Sequence, residues 1–122
     1  MKTALRQIAL LGALCVATAA AGQQTSNAKG AILRALDKTS GTTIDLSVPS
    51  GASASVGRLQ IVMNECRYPA GNPSGDAYAE LEISETGRAG TVFSGWMIAS
   101  APALNGLEHS RYDIWVMRCI TS

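Results

Sequence analysis

About six short runs in this 122-residue chain alternate apolar with polar residues, and each run stops at a cluster of glycine, proline, serine or asparagine. A period of two buries one face of an extended strand and no face of a helix, so the pattern predicts strands joined by tight turns. Thr42 to Val48 is the cleanest case: Ile44, Leu46 and Val48 point one way, Asp45 and Ser47 the other. Ala31 to Asp37 precedes it across a turn ending in Gly41, which reads as a hairpin. Ala54 to Cys66 is the next run, with a bend or bulge expected at Gly57. Asp76 to Ser84 turns Ala77, Ala79, Leu81 and Ile83 inward and Glu80 and Glu82 outward. Thr91 to Ala99 and Arg111 to Ile120 complete the set. In the last run Tyr112, Ile114 and Val116 share one face, and Trp115, Met117 and Cys119 the other. Both phases are apolar, which predicts a central strand. The expected fold is all-β: a small antiparallel β-sandwich or partly open barrel. Tyr68 to Gly75 reads as a loop, and Ser100 to Ser110 as a longer connection with one helical turn at Ala103 to Leu107.

The first 21 residues have a different character. Lys2 and Arg6 precede an uncharged run from Ile8 to Ala21, which ends in three alanines. A positive start, a short apolar stretch and small residues at its end are the pattern of a secretory signal peptide, with the cut expected after Ala21. The run is shorter than the about 20 apolar residues a spanning helix needs. Polar residues follow at once, so no transmembrane segment is expected in the mature chain. Cys15 lacks the small preceding residue that lipidation requires, and it leaves with the signal. The expected organisation is therefore a signal peptide over 1–21, a flexible tail over 22–30 and a single β domain over 31–122, in the periplasm or secreted.

Cys66 and Cys119 remain. In an exported protein an even pair reads as a disulfide. Their spacing is not that of a Cys-x-x-Cys redox motif.

Composition excludes some functions. The formal net charge is +1, and Lys2 and Arg6 contribute to it from the signal. No basic stripe is left for nucleic acid and no polybasic patch for anionic lipid. His109 is the single histidine. A relay with Ser94 or Ser110 and Asp113 lacks the Gly-x-Ser-x-Gly elbow of hydrolases. Glu80 and Glu82 share a strand face and read as solvated. Met63, Met97 and Met117 would suit Cu(I), but they lie among apolar neighbours and read as core filler. Trp96 and Trp115 are expected in the core near the disulfide. No catalytic set, metal site or cofactor is assigned. Arg67, Tyr68, Asn72, Asp76 and His109 remain, with the Ser100 to Ser110 connection, as a possible binding surface, since Arg and aromatic residues are favoured at interfaces.

From Cys66 onward five segments occur in a distinctive order: Cys66-Arg-Tyr-Pro69, Gly75-Asp-Ala-Tyr78, Phe93-Ser-Gly-Trp-Met97, Ala101-Pro-Ala-Leu104, and His109 through Tyr112-Asp-Ile-Trp-Val116 to Cys119. Over about residues 31 to 120 the chain resembles a family of exported bacterial proteins, best known among the alphaproteobacteria, classed as domain of unknown function number 2155. The resemblance implies an envelope location and a compact domain with a paired cysteine. It implies no activity or catalytic residue. The expected function is a non-enzymatic binding or structural module that engages an envelope protein or component. A small-ligand or Cu(I) carrier using Met and His side chains is the alternative reading, and a hydrolase the third.

Overall fold

A computed structural model describes residues 24–122. The expected signal peptide lies outside the described residues. Among these, eight strands and no helix are found: β1 (Thr25–Asn27), β2 (Gly30–Asp37), β3 (Thr42–Pro49), β4 (Ala52–Val56), β5 (Leu59–Pro69), β6 (Tyr78–Glu85), β7 (Thr91–Ile98) and β8 (Tyr112–Ile120). They form two antiparallel sheets packed as a sandwich. One has the order β1-β5-β6-β7, with β4 also pairing β5; the other has the order β3-β2-β8.

Three boundaries differ from expectation. Residues 25–30 are not a tail: β1 pairs with the far end of β5, Thr25 opposite Pro69 and Asn27 opposite Arg67. Three residues are too few to show a period. The run from Ala54 to Cys66 is two strands, because Gly57 (φ +53°) starts a two-residue turn between Val56 and Leu59. A left-handed first turn residue matches the strand twist and suits glycine. A Cβ at this position would also run into the Tyr112 hydroxyl. The connection at Ala103 to Leu107 contains turns but no helix.

The inner faces supply the core: Leu33, Leu59, Ile61, Met63, Leu81, Ile83 and Val116 are among the fully buried side chains. Two bulges complete it. In β5 the pairing steps from Met63–Leu81 to Glu65–Glu80, leaving Asn64 as the extra residue. In β8 the pairing with β2 steps from Val116–Leu33 to Arg118–Ile32, leaving Met117 extra. A bulge inverts the phase of everything beyond it. Cys66 therefore joins the face of Met63, and Cys119 the face of Val116. This corrects the expected placing of Cys119 on the opposite face from Val116.

The two cysteines are bonded, with Cα atoms 5.7 Å apart. Packed sheets usually lie about 10 Å apart, so the bridge draws this end together. Alanines make room, for Cys66 lies opposite Ala79 and Cys119 opposite Ala31. The chain crosses between sheets at the same place: Ala28 donates to the Cys66 carbonyl and Lys29 to that of Ile120, at 2.8 and 2.9 Å. Leu59, Ile83, Phe93 and Tyr112 fill the other end.

Two further expectations fail. Strand β8 is an edge of its sheet, not its centre. Its second apolar phase is an outer face, where Trp115 lies opposite Arg34 and is half-buried. Trp96 is likewise half-buried on the outside of β7, opposite Glu80. Neither Trp belongs to the core.

The disulfide closes a loop of 53 residues, for which chain entropy gives roughly 4 kcal/mol. Replacing both cysteines by alanine is expected to lower unfolding free energy in urea by about that amount, measured against the oxidised protein.

Candidate functional site

The expected binding residues do not form one surface. Arg67 and Tyr68 are on strand β5, not in a loop, and consecutive strand residues face opposite ways. The Arg67 guanidinium lies on the outer face, where Nε donates to Glu65 at 2.7 Å. Tyr68 packs against the core. Asn72 holds a tight turn, donating through its N–H to Pro69 O and accepting from Gly75 N–H, at 2.9 and 3.0 Å. His109 sits at the other end of the sandwich against Glu85, whose strand partner is Leu59. Eight residues of β5 separate Leu59 from Arg67, roughly 26 Å at about 3.3 Å each.

Asp76 has a different role. Its Oδ1 accepts from the N–H groups of Ala77 and Ser100, both at 2.9 Å, and Oδ2 accepts from the Ser100 hydroxyl. Burial pushes this carboxyl up, but the bonds from Ser100 and Ala77 outweigh it and leave the group below the usual carboxylate range. Asp76 therefore ties the two expected loops together where residues 99–111 begin.

That segment is a strap. It runs from the end of β7 to the start of β8, the edges of different sheets, and so closes one open side of the sandwich. Leu107 is its plug, 6% exposed in the core. The Asn105 side-chain amide donates to Trp96 O at 2.8 Å and holds the strap on β7.

His109 fastens the far end. Its Nδ1 accepts from the N–H groups of Arg111 and Tyr112, at 3.0 and 3.2 Å. An accepting nitrogen carries no proton, so Nε2–H donates to Glu85 Oε2 at 3.1 Å. The hydrogen bond from His109 holds the Glu85 carboxyl below its ordinary value; burial opposes, and the Arg88 guanidinium adds to the lowering. Lys38 donates to the His109 carbonyl at 2.8 Å and reaches Asp113 at 3.3 Å. The strap end is thus fixed to both sheets.

Between its two anchors the strap carries Leu104, which is 74% exposed. Leu104 N–H donates to Ala101 O at 3.1 Å, so the residue closes a turn. Beside it is a groove of about 380 Å³ lined by Pro102, Ala103, Leu107, Ile114 and Trp115, with Glu108 and Asp113 among its walls. The exposed Leu104 thus follows Ala103 in the wall of a groove that is part apolar and part acidic, on a loop fixed at both ends. The connection was legible in the sequence as a candidate surface but the exposure of Leu104 was not, because spacing does not reveal which loop side chain is left in water.

The other chemistries are placed as follows. Met63 and Met97 are buried in the core, while Met117 is half-buried at the β8 bulge. Among the described residues no group of three His, Cys, Asp or Glu side chains converges as metal ligands. Ser94 lies opposite Glu82 on the outer face of β7. No helix among the described residues is long and apolar enough to cross a membrane.

A family model described as an uncharacterized protein conserved in bacteria matches residues 31–119, from the first buried residue of β2 after its glycine to the second bridged cysteine. No curated protein and no solved structure matches the chain.

Two outcomes follow for the anchors. His109→Ala removes the acceptor of two backbone N–H groups and is expected to cost about 1–3 kcal/mol in urea unfolding. His109→Asn, whose Oδ1 can replace Nδ1, should cost less. For Asp76 the folded state has the lower pKa, so its contribution is fully present above the ordinary carboxylate value and is lost as pH falls below that value and through the lower folded-state one. The melting temperature of Asp76→Asn should lie furthest below wild type at neutral pH, and the gap should close below about pH 4.

Proposed function

The chain belongs to the bacterial family DUF2155, and from that premise we propose that it is an exported binding module of the cell envelope, without catalytic chemistry of its own. The observation that carries the reading is Leu104, held in water at 74% exposure on a strap fixed at both ends. Exposing a large apolar side chain costs free energy, and fixing it removes the entropy that a flexible loop loses on binding. The strap presents this anchor already ordered, next to a groove whose walls are part apolar and part acidic. Such centres of apolar contact dominate binding energy.

Two features support export: the signal pattern of residues 1–21 and a buried disulfide, which persists in an oxidising compartment. The binding reading is supported by the state of His109, whose two ring nitrogens are both committed to holding the strap.

The test starts with the mature chain recovered from periplasmic extract. It is used to capture partners from solubilised envelope, alongside Leu104→Asp, Trp115→Ala, Arg67→Ala and Tyr68→Ala. Leu104→Asp and Trp115→Ala are expected to lose at least about nine tenths of the captured partner, a tenfold loss of affinity or more. Arg67→Ala should retain it. An unchanged partner set with both strap variants would remove the strap from the reading, and recovery of uncleaved chain from the cytoplasm would remove the export.

A further inference from the structure

Free sheet edges are templates for pairing, and natural proteins guard them. Four positions in this sandwich end a sheet: β7 and β8 on one side, β3 and the β1/β4 pair on the other. The strap covers the first side, bonding to Trp96 O on β7 and sharing a groove with Asp113, Ile114 and Trp115 on β8. β1 and β4 are three and five residues long. Strand β3 has no such protection. It is eight residues long and pairs with β2 in unbroken register. It has no bulge, no lysine and no proline before Pro49, and Thr42 to Asp45 are all exposed.

A second observation lies beneath the same edge. Between β3 and β4 the sandwich leaves a slot of about 320 Å³, lined by apolar Ala35, Ile44, Val56 and Tyr112 and also by Ser40, Thr42 and the Asp37–Arg111 ion pair. Ile44 on the inner face of β3 is 45% exposed. A strand added beside β3 would continue the sheet and send alternate side chains over Ile44 into this slot.

We infer that β3 is a strand acceptor: it takes an extended segment of a partner polypeptide, apolar on the phase that faces the slot and carrying a Lys or Arg opposite Asp45. This deepens the binding-module reading and rests on it, though on a surface separate from the strap. The charge requirement comes from β3 itself. Asp45 is its sole charge; on one side Arg34 bonds both its carboxylate oxygens, at 2.7 and 3.1 Å, and the side chain is still 49% exposed. Its other side faces the vacant pairing position, where an opposite charge is favoured and a like one disfavoured. A second copy fits poorly, because two-fold pairing about the middle of β3 brings two Asp45 carboxylates together. Edge-to-edge contact of one strand also falls short of the about 1,200 Å² at the lower end of stable interfaces.

The disulfide-bonded mature protein is used to select from random nine-residue peptides displayed on phage. The enriched peptides are expected to alternate apolar and polar residues, with Lys or Arg at a fixed place. The synthetic peptide should slow hydrogen exchange at alternate β3 amides about tenfold or more. Ile44→Lys, a change at an exposed position, should weaken it about tenfold with the fold retained by circular dichroism. Asp45→Lys should weaken the basic peptide and favour its Glu counterpart, which a merely structural role of Asp45 would not produce. Failure to enrich any peptide overturns the inference, and so do peptides that protect the strap instead, although the latter would favour the strap reading. Protection of β3 amides that rises with protein concentration, without peptide, also overturns it by assigning the edge to a second copy. Loss of envelope capture by Leu104→Asp reports on the strap alone, so the two readings can fail separately.

Discussion

The covalent contact between Cys66 and Cys119 is the constraint on which the rest of this sandwich depends. It joins strand β5 of one sheet to strand β8 of the other, and it exists only because each strand carries one extra residue before its cysteine. Had Asn64 and Met117 kept the alternation, both thiols would face outward from opposite sheets. The approach of the Cα atoms to 5.7 Å then explains the small residues nearby. Ala31 and Ala79 sit opposite the cysteines, and Ala77 is buried on the same strand run. A leucine at any of these places would demand space that the bridge has removed. The domain therefore tapers, from this pinch to an end filled by Phe93, Tyr112 and Ile83.

The open side between β7 and β8 needs another kind of closure, and the strap supplies it. No strand spans the side between β7 and β8, so residues 99–111 cover it with irregular backbone. Irregular backbone beside a core has N–H and C=O groups that must find partners. Asp76 satisfies the main-chain N–H and hydroxyl of Ser100, Asn105 reaches Trp96 O, and the His109 ring takes two N–H groups at once. The side chains of Asp76, Asn105 and His109 are used for this accounting, which is why residues that looked like chemistry in the sequence turn out to be fasteners.

Much of the fold was legible in advance. The inward sets Leu59–Ile61–Met63 and Ala79–Leu81–Ile83 follow their alternation, and the hairpin from Ala31 to Val48 pairs as expected. The cysteine pair was readable once Cys15 was assigned to the expected signal peptide. What was hidden has a common cause: bulges and short strands do not alter composition. Asn64 and Met117 look like ordinary alternating residues, so the face of Cys119 was misread and that of Cys66 was not readable. Thr25–Asn27 owes its strand state to the overhang of β5 and not to its own side chains. Of the candidate site, Asp76 and the strap were located but their roles were not, since spacing cannot show that His109 and Tyr68 lie at opposite ends or that Leu104 is left in water.

The same physics separates the guarded parts of the molecule from the open ones. A domain this small has little stability to spare, and it concentrates covalent and polar reinforcement at the disulfide end and along the strap. Against that investment, Leu104 and the β3 edge stand out: neither an apolar side chain in water nor a long unpaired edge adds to folding stability, and both favour contact with other chains. A scaffold cross-linked at one end and fastened along one side keeps such surfaces in fixed positions, so a partner would meet them already ordered. Stability alone would be served by a polar residue at 104 and a lysine on β3, and the proposed binding role is the reading that accounts for both departures.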